Sequence, residues 1–190
     1  MAAAVESKKK IWTEAELQAL PEDGYLHEVV NGELVTSPKN NWQHGDMCVR
    51  LILALGTFAR EKKLGAVFDS STGFWMENLN CRAPDISFVS KERLRGLKRN
   101  EPRFFPGAPD LAVEILSPSN SRREVDERLR DFFASGTRLA WIIDPERELV
   151  EICRSVTQRR LLAPNGTLDG EDVLPGFTFA VAELFKEWEW

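Results

Sequence analysis

Two carboxylates, Asp85 and Glu114, stand inside apolar runs where acid is costly, and that cost points to chemistry. Asp85 follows Arg82-Ala83-Pro84 and opens Ile86-Ser87-Phe88-Val89, while Glu114 interrupts Pro109-Asp110-Leu111-Ala112-Val113 and Ile115-Leu116. Both stretches read as buried strands, in which successive side chains point to opposite faces. Asp85 therefore shares a face with Ser87 and Val89, and Glu114 with Asp110, Ala112 and Leu116. A carboxylate in a core costs several kcal/mol unless a cation or good donors compensate it. Two acids on neighbouring strands thus suggest a divalent metal between them. An acid at a strand end is often just an exposed turn residue. Asp110, directly after Gly107-Ala108-Pro109, is placed in that class, and Asp85 and Glu114 in a site.

The elements that must position these acids can be read along the chain. Thr13-Glu14-Ala15-Glu16 is a capping box that opens a short helix ending before Pro21. Residues 26–30 and 33–36, joined by Asn31-Gly32, form a hairpin carrying Glu28 and Glu33, since Asn-Gly suits the left-handed angles of a tight turn. Val49, Ile52, Leu53, Leu55, Phe58 and Ala59 recur at helical spacing and predict a helix over 42–62 that packs across a sheet, with Gly65 as its stop. Short strands over 66–69, 73–76 and 85–89 follow as a meander. Ser121-Arg122-Arg123-Glu124 is a second capping box, opening a helix to Ser135 before Gly136. Strands over 138–143 and 149–154 flank an Asp144-Pro145-Glu146-Arg147 turn, and a short helix over 180–185 closes the chain.

At 190 residues, 43% hydrophobic and 29% charged, the chain is expected to be one domain over 1–190, with 1–10 as a flexible N-terminal segment. It has no internal repeat. No apolar stretch is long enough to cross a bilayer, and the N-terminus lacks the apolar core of a secretory signal, so a cytoplasmic protein without membrane contact is expected. Cys48, Cys81 and Cys153 show no paired spacing, which predicts reduced thiols, no zinc and no disulfide framework. The net charge of −5 argues against coating nucleic acid by bulk electrostatics. A local patch over 91–103, six basic residues against Glu92 and Glu101, remains a candidate, although such runs are more often solvated loops.

The chain resembles the restriction-endonuclease-like superfamily and, within it, the Uma-type family. The resemblance rests on His27-Glu28-Val29-Val30-Asn31-Gly32-Glu33-Leu34, on His44 at the start of the long helix, and on Ala83-Pro84-Asp85. It rests further on Val113-Glu114-Ile115-Leu116-Ser117-Pro118-Ser119 and Leu139-Ala140-Trp141-Ile142-Ile143-Asp144-Pro145. It implies an α+β or α/β architecture, a mixed central sheet flanked by helices. Asp85 and Glu114 would match the acids of the superfamily's Pro-Asp, Glu-x-Lys signature and hold Mg²⁺ or Mn²⁺. Phosphodiester cleavage builds negative charge on phosphorus oxygens, which a carboxylate-held ion stabilises. Hard ions take oxygen ligands, so the Ile115 backbone carbonyl would complete the set with water. Where the signature has Lys, this chain has Leu116. Similar family members draw a Lys from the following helix, and the matching position here is Arg128.

Arg128 lies on the shoulder of the stripe Val125, Leu129, Phe132 and Phe133, within reach of the site's edge. Arginine stays protonated, so it would clamp phosphate rather than act as base; the other reading is a surface Glu124–Arg128 pair at i, i+4. Glu28 is an auxiliary acid or a solvent-facing hairpin residue. His44 would contact phosphate or orient water, or be structural. Trp42, Phe74, Trp75, Phe104, Phe105 and Trp141 are base-stacking platforms or core. Trp188-Glu189-Trp190 suggests self-association as a homodimer or larger assembly. The leading expectation is a metal-dependent endonuclease on DNA; the second is a nuclease-derived fold that binds nucleic acid or protein without turnover. A small-phosphate hydrolase ranks last, since no glycine-rich phosphate loop is present.

Overall fold

The chain alternates short strands with two amphipathic helices, and a computed structural model describes residues 10–98, 103–118 and 120–189. Residues 1–9, Arg99, Glu101, Ser119 and Trp190, parts of segments singled out above, lie outside the described residues. Helix α1 (Glu14–Gln18) starts at the expected capping box, with Thr13 accepting from the Glu16 N–H. Strands β1 (Leu26–Val30) and β2 (Glu33–Ser37) form the hairpin, and Asn31 and Gly32 take positive φ of 52° and 78° in its turn. The long helix α2 (Trp42–Glu61) begins at Asn41, whose side chain accepts from the His44 N–H. Its buried face is Met47, Leu51, Leu55 and Ala59, while Val49 and Leu53 are exposed, a correction to the stripe expected above. The left-handed residue after α2 is Lys63, not Gly65. Gly65 instead begins β3 (Gly65–Asp69), where a Cβ would lie 2.0 Å from the Val89 carbonyl oxygen.

Strands β4 (Phe74–Trp75) and β5 (Cys81–Arg82) precede β6 (Ile86–Ser90) and the short α3 (Lys91–Leu94). Strand β7 (Phe105–Pro106) leads to β8 (Leu111–Ile115), followed by α4 (Arg122–Ala134), β9 (Leu139–Asp144) and β10 (Leu149–Cys153). Strands β11 (Arg159–Leu162), β12 (Thr167–Asp169) and β13 (Thr178–Ala180) and helix α5 (Ala182–Phe185) complete the described chain. Strands β11-β10-β9-β8-β6-β3 make a six-stranded sheet; β2-β1-β5-β4-β7 make a second, and β12-β13 a third. Strands β8 and β9 pair in parallel, as a strand–helix–strand crossover through α4 demands, and the other pairs of the six-stranded sheet are antiparallel.

Alternation along β8 divides the core. Leu111, Val113 and Ile115 pack with the buried face of α2, while Ala112 on the opposite face packs with Val125, Leu129 and Phe132 of α4. Glu114 shares that second face and so points toward α4. Asp110 is not an exposed turn residue: it is 4% exposed, accepts from the Ser90 N–H at 2.8 Å and lies 3.6 Å from Arg93. That contact also removes Arg93 from the supposed basic patch, since its guanidinium is committed to Asp110 and the Ala108 and Pro106 carbonyls. Phe74 and Trp141 are fully buried core, whereas Trp42 is 66% exposed. Among the described residues, no helix is long and apolar enough to cross a membrane.

Candidate active site

Sheet register brings the two acids together. The antiparallel ladder of β6 and β8 pairs Ile86 with Val113, and one residue further Asp85 comes opposite Glu114. The Ile115 N–H donates to Asp85 Oδ2 at 2.8 Å, so the observed backbone contact at Ile115 is its amide, whereas the expected ligand was its carbonyl. His44, on the first turn of α2, places Nε2 3.1 Å from the same Oδ2. Its Nδ1 lies 3.6 Å from Cys48 Sγ one turn on. Burial, then the Asp85 and Glu114 charges, push the Cys48 thiol up to about 12. The thiol therefore stays protonated beside Nδ1, and Nε2 lies between Asp85 Oδ2 and the Asn40 side-chain amide, each 3.1 Å away.

Arg128 joins the elements. Its Nε donates to Glu114 Oε1 at 2.8 Å, Nη1 to Glu28 Oε2 at 2.7 Å, and Nη2 to the Ala83 carbonyl at 3.1 Å. The alternative surface pair with Glu124 does not form, because the Glu124 carboxylate is turned back onto Ser121 as the capping box of α4. Glu28 does not face solvent; it accepts from the Ala83 N–H at 2.8 Å and from Arg82 at 3.3 Å, besides Arg128. Arg82 continues the network to Asp131 at 2.7 Å, and Asp131 accepts from Asn78 and Asn80. Arg82, Asp131, Asn80 and Cys48 were not identified from sequence. The visible signal was Arg128 followed three residues later by Asp131, which puts both on one face of α4.

The electrostatics of the two glutamates diverge. Burial raises the Glu28 carboxyl, but the Arg128 and Arg82 guanidiniums and the Ala83 amide outweigh it and hold the group below its ordinary value. Glu114 has one guanidinium for its compensation. Burial, reinforced by the Asp85 charge, pushes it up to about 8 against the pull of Arg128. Burial opposes the charge on Arg128 as well, yet Glu114 and Glu28 together hold it charged, above its ordinary value. Four carboxylates, Asp85, Glu28, Glu114 and Asp131, thus stand in this network with two guanidiniums, Arg82 and Arg128.

Among the described residues, no group of three or more His, Cys, Asp and Glu side chains forms a ready metal cage. Asp85 and Glu114 nonetheless fit a hard ion as donors. Each has one oxygen engaged by protein, Oδ2 and Oε1, and Mg²⁺ commonly uses only one or two carboxylates, with water and substrate phosphate filling the rest. The guanidinium on Glu114 is the group such an ion would have to meet. Leu116, two residues after Glu114, is partly buried against the α4 side of the core and offers no charge.

No curated protein matches the chain. A solved structure from Anabaena variabilis ATCC 29413, described as a "putative nuclease belonging to DUF820", is 21% identical, with the match covering 92% of this chain and 97% of that one at a TM-score of 0.80. The two share the restriction-endonuclease-like fold, a mixed sheet flanked by helices. The sequence also matches the Uma2 family, described as "Putative restriction endonuclease", over residues 14–182, which takes in every element from α1 into α5. Because that match spans most of its length, the chain belongs to the Uma2 family.

Proposed function

We propose that this protein is a metal-dependent endonuclease that hydrolyses DNA phosphodiesters, with Mg²⁺ or Mn²⁺ held by Asp85 and Glu114. The observation that carries the reading is the meeting of two buried carboxylates from adjacent strands with a guanidinium from α4. A divalent ion there would stabilise charge on the phosphate and lower the pKa of an attacking water.

The chain's own residues supply the rest. The Ile115 amide and His44 both hold Asp85 Oδ2, which leaves Oδ1 for an ion. Glu28 anchors Arg128 independently of Glu114, and the Ala83 carbonyl holds it a second time. Tethered by Glu28 and the Ala83 carbonyl, Arg128 would keep its place with Glu114 holding an ion, and could donate to a phosphate oxygen. Arg128 thus replaces the charge, though not the proton chemistry, of the signature Lys absent at Leu116. Lys39 and Arg103 line a cavity of about 750 Å³ that reaches Ala83 and suits the approaching backbone.

Incubating plasmid and single-stranded DNA with Mn²⁺ tests the reading. Wild type is expected to cleave, and Asp85→Asn and Glu114→Gln to lose at least roughly a hundredfold in rate, the scale of losing a charge-stabilising group. Equal cleavage by all three proteins would remove these acids from the reaction. Leu116 specifically favours a second reading, a nuclease-derived module that binds without turnover. That module would keep its DNA affinity in Glu114→Gln.

A further inference from the structure

Two tryptophans border a second cavity, of about 450 Å³, which His44 also lines. Trp42 and Trp188 are 66% and 47% exposed, with ring centroids 5.3 Å apart and planes inclined at 40°. Two exposed indoles in contact are an uncommon expanse of apolar surface and mark a binding face. The wall that carries Trp188 is fastened in place: Arg50 on α2 donates to the Glu183 and Lys186 carbonyls at 3.0 and 2.8 Å. His44 lines the cavity and lies 3.1 Å from Asp85, and Leu116, two residues after Glu114, lines it too, so this space adjoins the candidate cation site.

Charge selects the occupant. Asp46, Glu146, Glu148 and Glu187 line the cavity against Arg50 and Lys186, and Arg50 is already paired with Asp46 at 2.7 Å. A phosphate would be repelled here, whereas the cavity beyond Ala83 carries Lys39 and Arg103. A flat, neutral heterocycle with amino donors suits indole faces beside carboxylates, because the exocyclic amines of cytosine and adenine are donors that acids accept. A paired base in a duplex is stacked on both sides and cannot enter, so the base must come from an unpaired strand.

We propose that the Trp42–Trp188 cavity is a stacking subsite for one unpaired, amino-bearing nucleobase of the strand whose phosphate meets Asp85 and Glu114. This rests on the nuclease reading above and narrows its substrate class to DNA with single-stranded character.

The test is fluorescence anisotropy of labelled oligodeoxyadenylate, oligothymidylate and an abasic backbone of equal length, in EDTA, with wild type, Trp42→Ala, Trp188→Ala and Trp188→Phe. Stacking predicts that wild type binds the adenine strand roughly tenfold or more tighter than the abasic one, with thymine between. Both alanine variants lose that contrast while abasic binding is unchanged, and Trp188→Phe keeps most of it. Unchanged affinities in the alanine variants, or equal losses on the abasic strand, overturn the proposal. So does a shift from dimer to monomer in sedimentation with oligonucleotide affinity intact, which would assign the tryptophans to a second copy of the chain. Titration of Mn²⁺ into the same variants separates the two readings. Lost base contrast in wild type with retained Mn²⁺ binding removes the subsite alone. Retained contrast without Mn²⁺ binding removes the metal-dependent reading.

Discussion

Glu114 is pulled two ways, by burial toward the neutral acid and by Arg128 toward the carboxylate, and burial prevails. Its ordinary value is 4.5 and its folded value about 8, so the folded chain keeps a proton that the unfolded chain sheds. Without added divalent ion, the contribution of Glu114 to stability should be fully present below pH 4.5 and decline as pH rises toward 8. Glu28, held below its ordinary value, titrates beneath that window. Urea unfolding across pH should show the decline in wild type and a flatter profile in Glu114→Gln; identical profiles would contradict it. Arg128→Met should destabilise by about 3–5 kcal/mol at pH 8, because it strands Glu114 and leaves Glu28 with Arg82 and the Ala83 amide. The loss should shrink at pH 5, where Glu114 takes a proton, and the same unfolding series reads both. Asp85 and Glu114 were legible in the sequence because acid in an apolar run is conspicuous. Arg82 and Asp131 were not, since each looks like an ordinary charged residue until the fold makes them partners.

Helix α4 is the element on which the site turns. Its capping box fixes where it begins, its apolar stripe fixes which face meets β8, and Arg128 and Asp131 then point to the second sheet through Glu28 and Arg82. Ser121→Ala should cost about 1 kcal/mol in urea unfolding. Asp131→Ala should cost more, about 3 kcal/mol, as it leaves the buried Arg82 with Glu28 alone. An Asp131→Ala cost no larger than the cap's would show that α4 does not need the second sheet. Local signals such as both capping boxes and the Asn31-Gly32 turn were readable because cap and turn chemistry is set within a few residues. The division of the strands into separate sheets was not, because pairing partners such as β1 and β5 lie about fifty residues apart. Val49 and Leu53 misled for a related reason: helical spacing shows which residues align, not which aligned row meets the sheet.

At the scale of the whole molecule, the six-stranded sheet supplies Asp85 and Glu114, the second sheet supplies Glu28 and Arg82, and α2 and α4 close the site from either side. Two cavities flank it, one lined by Lys39 and Arg103 and one by Trp42 and Trp188. Under the proposed function, that division would give a strand's backbone and its base separate places. The account stands on a hard cation at Asp85 and Glu114. Calorimetric titration of Mn²⁺ into wild type and Glu114→Gln, at pH 8 where the glutamate is about half ionised, tests it most directly. The predicted result is saturable binding to wild type, with proton release, and its loss in a Glu114→Gln protein that remains folded. Equal binding by both proteins, or none by either in the presence and absence of DNA, would contradict it.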